Sequence, residues 1–167
     1  RNPFGGRNYE YYSEDPKLTG YLASEAVKGI TNMGRNTFVK HFAAAQTETG
    51  RDSLYTWLSE QAFREIYLEC FRIVVEEGQT TALMTAYNRI GALWAGGSTA
   101  LLTGVLRNEW GFNGTIITDY SDNNQFMNLD ETLRAGGDLG MAVGLSFDIN
   151  STNRIKQRAK DAVKHTV

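Results

Sequence analysis

Short apolar segments alternate with longer amphipathic segments along the chain, and this alternation limits the possible folds more than any other feature. TFVKHFAAA (37–45), ALMTAYN (82–88) and GTIITDY (114–120) have the length and composition of buried strands, and LGMAV (139–143) is a fourth, shorter candidate. Segments with apolar residues at helical spacing separate them. Strands that alternate with helices are typical of βαβ units, in which the strands are parallel. The sequence therefore predicts an α/β fold with parallel strands alternating with helices.

The intervening segments predict helices with recognisable ends. SEDP offers Ser13 or Asp15 as an N-cap, with Pro16 in the first turn. The expected helices cover residues 16–30, 59–77, 98–111 and 124–135, followed by a charged helix that begins near Thr152.

Composition excludes several classes of function. A formal charge of −2 gives no reason to expect nucleic acid or an anionic membrane as a partner. No apolar run approaches the roughly 18 residues of a membrane span. One cysteine, Cys70, excludes an internal disulfide and a cysteine-based zinc site, and its apolar neighbours predict a buried structural thiol. The chain opens on RNPFGGR without Met, so we expect a fragment whose cellular location, cytoplasmic or secreted, stays open.

Polar and ionisable side chains occur where the predicted strands end. In parallel α/β sheets, and in (β/α)8 barrels especially, active-site groups lie at the C-terminal ends of strands. The strand ends carry Lys40, His41, Met84, Tyr87, Asn88, Asp119 and Tyr120, and loops add Arg7 and Arg51. Any one of these residues alone is more often structural. Together, a carboxylate, several cations, an imidazole and aromatic rings suit a polyhydroxylated ligand.

Other sites fit the residues less well. Asp119 and Asp122 could bind a hard cation, but only His41 and His165 are available as imidazole ligands, and no HxH or HExxH spacing occurs. GGR and AGGS lack a phosphate-loop pattern, and no GxSxG motif supports a serine triad. We therefore expect no metal and no cofactor. Asp122, three residues after Asp119, is interpreted as a helix N-cap.

Five blocks of sequence, in order, are similar to one family. RNPFGGRNYEYYSEDPKLTG, FVKHFAAAQTETGR, SEQAFREIYLECF, ALMTAYNRIG and LRNEWGFNGTIITDY resemble glycoside hydrolase family 3, the group of β-glucosidases and β-xylosidases. The resemblance implies an incomplete (β/α)8 TIM-barrel-like domain. It also implies that residues 1–167 are the C-terminal part of the barrel domain, with the first strands and a second α/β domain absent.

The resemblance also implies a role for each matching residue. Asp119 of ITDY takes the place of the catalytic nucleophile. Lys40 and His41 of KHF match a pair that binds hydroxyls of the nonreducing-end sugar. The other implied substrate-binding residues are Arg7, Arg51, Met84, Tyr87 and Tyr120. Tyr120 stands where the family commonly has Trp, and Glu10 is expected to be structural.

The implied reaction is retaining hydrolysis of β-glucosides or β-xylosides. It requires a nucleophile and a general acid/base about 5–5.5 Å apart, and the resemblance places the acid/base outside this chain. We therefore expect the 167 residues alone to be inactive. Uncovered barrel edges predict self-association. The alternative is a non-catalytic carbohydrate-binding or regulatory relative that keeps the sugar pocket.

Overall fold

The computed structural model describes residues 3–120, 126–141 and 152–166. Three parallel strands form its central sheet, in the order β1–β3–β6. The strands of the chain are β1 (Phe38–Phe42), β2 (Tyr55–Thr56), β3 (Ala82–Thr85), β4 (Arg89–Ile90), β5 (Leu93–Trp94) and β6 (Thr115–Ile117). The predicted α/β architecture with parallel strands is therefore confirmed, and it corresponds to part of a (β/α)8 barrel.

Helices precede, connect and follow the strands of the central sheet. They are α1 (Pro16–Asn32), α2 (the consecutive segments Glu60–Ala62, Phe63–Leu68 and Glu69–Glu76), α3 (Ala100–Glu109), α4 (Leu129–Ala135) and α5 (Asn153–Thr166). The middle segment of α2 and all of α3 have the wider π-helical hydrogen-bonding pattern. In the part of the chain that the structure describes, no helix is long and apolar enough to span a membrane.

The ends of these helices follow the capping residues in the sequence. The Asp15 carboxylate accepts hydrogen bonds from the backbone N–H groups of Lys17 and Leu18, which confirms Asp15 as the N-cap of α1. Ser59 caps α2 in the same way by accepting from Ala62 N–H. Helix α3 ends before Gly111, whose φ of +70° lies in the left-handed region that favours glycine.

The predicted start of α4 is wrong. The helix begins at Leu129 rather than near 124, because Asn128 has extended backbone geometry and its side chain accepts from Asp130 N–H. Asn128 therefore fills the capping position that the sequence suggested for Asp122. Asp122 itself lies outside the described residues.

The fourth strand candidate forms only a single bridge in the described residues. Leu139 pairs with Ile117 in parallel, and Thr118 N–H donates to Leu139 O. This contact extends the sheet beyond β6, so the order along the sheet follows the order along the chain. The sheet and its helices enclose one main core, which includes Phe42, Leu83, Leu102, Leu106 and Ile116.

Strand β6 can pair with β3 because the residue immediately before it, Gly114, has no side chain. A Cβ on Gly114 would lie 2.1 Å from Thr81 O, which is closer than any side chain permits. Thr115 N–H donates to that same carbonyl at 3.0 Å. Ala82, Leu83 and Met84 then face Thr115, Ile116 and Ile117 in register.

A second small sheet was absent from the sequence-based prediction. Strand β2 pairs in parallel with β4, and β4 pairs antiparallel with β5. Each of these strands has two residues, too few to show an alternating pattern. Strand β2 begins four residues after Arg51, and β4 begins two residues after Tyr87. Arg89 N–H donates to Leu54 O at 3.0 Å and so links the two segments.

Candidate active site

Three strand ends bring the main candidate residues together. Lys40 and His41 lie at the end of β1, Tyr87 and Asn88 follow β3, and Asp119 follows β6. The peptide bonds Lys40–His41 and Phe42–Ala43 are cis. A small cleft at this edge of the sheet is lined by His41, Ala45, Thr47, Glu48, Arg51, Tyr87, Asn88 and Asp119. Four residues predicted as catalytic or substrate-binding therefore share one cavity: His41, Arg51, Tyr87 and Asp119.

Asp119 is buried at the base of this cleft, with 8% of its surface exposed. Its Oδ1 accepts a hydrogen bond of 2.7 Å from the backbone N–H of Tyr120. Its Oδ2 is buried and accepts no hydrogen bond from any described residue, while His41 Nε2 lies 3.5 Å away. Among the described residues, the carboxylate is therefore held by a hydrogen bond to one oxygen only.

Burial raises the pKa of Asp119, and the opposing effects are weaker. The Tyr120 N–H hydrogen bond and the charges of Arg51, Arg7 and Lys40 act to lower it. The cations thus favour the charged form of Asp119, but burial outweighs them. Burial is also the largest cause that lowers the pKa of His41 to about 3, and Lys40 and Arg7 add to it. His41 is therefore neutral at physiological pH.

The cations of the site are paired with two acidic side chains. Arg7 contacts Glu10 at 2.6 Å and Glu48 at 3.6 Å, Lys40 lies 3.5 Å from Glu10, and Arg51 lies 3.3 Å from Glu48. Burial acts to raise the pKa of Glu10, but the Arg7 hydrogen bond and the Lys40 charge bring it below its usual value. These pairs hold in place the three cationic side chains whose charges act on Asp119.

Glu10 therefore does more than support a loop. Sequence reasoning treated it as structural and did not single out Glu48, although both carboxylates position predicted sugar-binding cations. Their spacing was a usable signal, since Glu10 and Glu48 each lie three residues from the arginine they contact, Arg7 and Arg51. Sequence spacing gave no indication of Tyr11, whose hydroxyl lies 2.9 Å from His41 Nδ1.

Tyr87 forms one wall of the cleft. Its ring lies under the guanidinium group of Arg51 at 4.1 Å, a cation–π contact, and its exposed fraction is 6%. Trp94 and Met127 pack with it in a small apolar cluster. The indole N–H of Trp94 donates to Ala86 O at 2.9 Å and so fixes the backbone just before Tyr87.

Four of the predicted substrate-binding residues do not line the cleft. Arg7 and Lys40 are held beside it by Glu10, and the other two are Met84 and Tyr120. Met84 is half-buried in β3, and Tyr120 is 44% exposed beside Asp119. Their predicted contacts with a sugar stay predictions. Cys70 is half-buried on α2, and burial raises the pKa of its thiol to about 11, consistent with a structural role.

Other ionisable residues belong to a separate cluster. The Asp138 carboxylate accepts from Arg107 at 2.7 Å, from Ile116 N–H at 2.8 Å and lies 2.8 Å from His165 Nδ1. These contacts join α3, β6 and α5 and leave His165 away from the cleft. Within the residues that the structure describes, no three His, Cys, Asp or Glu side chains are grouped as metal ligands.

Parallel strands whose C-terminal ends carry a buried carboxylate, an imidazole and paired cations define a barrel-type α/β domain with a polar ligand site. The chain matches the family model described as "Glycosyl hydrolase family 3 N terminal domain" over residues 1–165. The chain belongs to glycoside hydrolase family 3.

Relatives and solved structures agree with this assignment. A β-glucosidase of Ruminococcus albus is 43% identical over 120 residues, which cover 72% of this chain and 13% of that protein. An exo-α-(1→6)-L-arabinopyranosidase of Bifidobacterium longum is 44% identical over 120 residues, with 72% and 16% covered. The structure of β-glucosidase 3B from Thermotoga neapolitana in complex with α-D-glucose matches with a TM-score of 0.88 and 36% identity, covering 99% of this chain and 25% of that one.

Proposed function

We propose that the protein carrying this chain hydrolyses β-glycosidic bonds at the nonreducing end of β-glucosides or related sugars such as β-xylosides. Asp119 is the nucleophile of a retaining reaction. The observation that carries the proposal is the state of the Asp119 carboxylate: Oδ1 is held by Tyr120 N–H, and the buried Oδ2 accepts no hydrogen bond from a described residue. An oxygen held in this way can attack an anomeric carbon without first losing a hydrogen bond.

The surrounding side chains suit the hydroxyl groups of a sugar. His41 and Lys40 present N–H groups beside Asp119, and the guanidinium groups of Arg7 and Arg51 supply directional donors. Glu10 and Glu48 hold those cations in place. The similar proteins include an arabinopyranosidase as well as β-glucosidases. The preferred substrate is therefore to be determined by comparing kcat/KM over a panel of glycosides.

The general acid/base is proposed to lie outside residues 1–167. Glu48 is the second carboxylate that lines the cleft, but Arg51 and Arg7 lie 3.3 and 3.6 Å from it. Glu48 is thus engaged in positioning two arginines. We accordingly interpret residues 1–167 as the C-terminal part of the barrel domain, supplying one half of the catalytic pair.

Trapping the covalent intermediate tests the nucleophile. The protein expressed from its complete reading frame is incubated with a 2-deoxy-2-fluoro-β-glucoside and digested, and the labelled peptide is identified by mass spectrometry. We expect the label on the peptide that contains Asp119. Asp119→Asn should remove the label and lower kcat on the order of 10³-fold or more, whereas Asp161→Asn, at a half-buried position on α5 that does not line the cleft, should change neither.

Three results separate the alternatives. A label on any other peptide rejects Asp119 as the nucleophile. Saturable glucose binding without label or turnover supports the alternative of a non-catalytic sugar-binding protein. Turnover of a nitrophenyl β-glucoside by residues 1–167 alone shows that the acid/base lies within this chain.

We also infer that the isolated chain self-associates. A long groove between α1, β1 and α2 is lined mainly by apolar side chains, including Ile30, Phe38 and Ile66.

A further inference from the structure

His41 is contacted on both ring nitrogens by side chains from distant parts of the sequence. Tyr11 Oη lies 2.9 Å from Nδ1, and Asp119 Oδ2 lies 3.5 Å from Nε2. Tyr11 follows the short 3₁₀ turn Asn8–Glu10 in an extended conformation, and its N–H donates to Asn8 O. His41 is 5% exposed. The ring is therefore fixed in place, and the position of its proton decides what it can donate.

The two neighbours favour the same tautomer. An ionised carboxylate only accepts hydrogen bonds, so Asp119 favours a proton on Nε2. A neutral imidazole then has a lone pair at Nδ1, and the Tyr11 hydroxyl can donate to it. The opposite tautomer would bring the Nε2 lone pair against the carboxylate oxygen. A single proton on the ring follows from burial and from the Lys40, Arg7 and Arg51 charges, which lower the pKa of His41 to about 3 although Glu10 acts to raise it.

We propose that Tyr11 is a positioning residue whose hydroxyl holds His41 as the Nε2–H tautomer, so that the ring presents an N–H donor to a ligand hydroxyl beside Asp119. This rests on the proposed function for the identity of the ligand, a sugar. The 3.5 Å between Nε2 and Asp119 Oδ2 is too long for a strong hydrogen bond. The Nε2–H group can therefore donate its hydrogen bond to a ligand hydroxyl placed next to the nucleophile.

The hydroxyl of Tyr11 is what carries this role, and the adjacent tyrosine provides a matched control. Tyr12 is 55% exposed and does not line the cleft. Tyr11→Phe removes one oxygen atom and leaves the ring in place. Tyr12→Phe makes the same chemical change one residue away.

Nitrogen NMR of the imidazole reads the tautomer directly. The protein from the complete reading frame is labelled with ¹⁵N-histidine, and the His41 signals are assigned by their loss in His41→Gln. We expect the wild-type protein and Tyr12→Phe to show a protonated Nε2 and an unprotonated Nδ1. Tyr11→Phe should show a mixture of both tautomers. Protonation at Nδ1 in the wild-type protein, or an unchanged tautomer in Tyr11→Phe, overturns the proposal.

Kinetics supply an independent readout. We expect Tyr11→Phe to lower kcat/KM for a nitrophenyl β-glucoside about tenfold, the effect of losing one well-placed hydrogen bond. The loss should disappear with the one monodeoxy glucoside that lacks the hydroxyl bound by His41, because that substrate never used the donor. An equal loss with every monodeoxy substrate contradicts a positioning role. If no glycoside is cleaved at all, the proposed function fails while the NMR result still decides the tautomer.

Discussion

His41 and Asp119 respond in opposite directions to the same burial. Removal from water disfavours the charged form of each, so it lowers the pKa of His41 and raises the pKa of Asp119. The neighbouring cations oppose burial at Asp119 and reinforce it at His41. His41 is therefore the residue of the pair that stays uncharged over the wider range of pH, and it acts as a neutral hydrogen-bond donor beside the carboxylate.

This buried histidine should make the chain sensitive to acid. Its folded pKa is about 3 against an ordinary value of 6.5, so between these values the unfolded state binds a proton that the folded state does not. The free energy of unfolding should then fall as pH is lowered below 6.5, by up to about 1.4 kcal/mol per pH unit. The opposite sign holds for Asp119. Because its pKa is raised in the folded state, its contribution to the free energy of unfolding falls as pH rises.

Urea unfolding of the chain at a series of pH values, followed by tryptophan fluorescence, measures this slope. His41→Asn should be less stable at neutral pH because the Tyr11 hydroxyl loses its acceptor. Its free energy of unfolding should nevertheless fall less steeply with acid than that of the wild-type chain. Acidic groups with lowered pKa values that do not interact with His41, such as Glu69, contribute equally to both proteins. Parallel slopes for the two proteins would contradict a buried, neutral His41.

At the scale of elements, α1 and α2 are packed closely together. A Cβ on Gly20 would lie 2.8 Å from Ile73 Cβ, so a glycine is needed for the two helices to approach this closely. Ser24, one turn further along α1, donates to Gly20 O at 2.8 Å and lies 3.3 Å from Ile73 O. The two helices are thereby held in one relative position, and α1 carries the Tyr11 segment at its start.

Two glycines of α1 allow helix packing to be separated from helix propensity. Gly20→Ala should destabilise the chain by about 1–3 kcal/mol, because Ile73 or the helix backbone must move. Gly29→Ala, where the added Cβ meets nothing within 4 Å, should stabilise it by about 0.5–1 kcal/mol. Thermal and urea unfolding of both variants checks the signs. A stabilised Gly20→Ala variant would show that α1 and α2 are packed less closely than described.

The same elements show why sequence predicted some features and missed others. The apolar periodicity of α1 and the N-cap Asp15 determine a helix locally, so both were predictable. The strands β2, β4 and β5 have two residues each, too few to show a periodicity. They form because the surrounding fold brings these segments together. In the site, the strand-end rule located His41, Tyr87 and Asp119. Tyr11 is 30 residues from His41, so only the three-dimensional fold reveals their contact.

At the scale of the whole molecule, the two ends of the central sheet differ in function. The C-terminal ends of the strands carry the cleft with Asp119. The Asp138 carboxylate, with its side chain fully buried, joins Arg107, His165 and the start of β6. Removing one member of such a network leaves a buried charge unpaired, which makes it a structural support. The proposed nucleophile therefore lies at one end of the strands, and the stabilising ion pairs lie near their other end.

One side of the molecule exposes apolar surface beside an edge strand. Strand β1 is at the edge of the sheet, and in the part of the chain that the structure describes it pairs only with β3. The adjoining groove is lined by side chains such as Ile30, Phe38 and Ile66, which are 45%, 44% and 50% exposed. A formal charge of −2 provides little repulsion between copies. These properties favour association of two copies through this surface.

Light scattering coupled to size-exclusion chromatography tests this association for the 167-residue chain. We expect a mass that rises with concentration towards a dimer. Ile66→Lys, which places a charge in the groove, should weaken association by about tenfold or more. Leu93→Lys provides the control, since Leu93 is 48% exposed on β5 and does not line the groove. A chain that stays monomeric at every concentration would contradict self-association. An interface centred on the groove would bury Lys at position 66 but not at position 93, so an equal effect of both substitutions would show that the groove is not the interface.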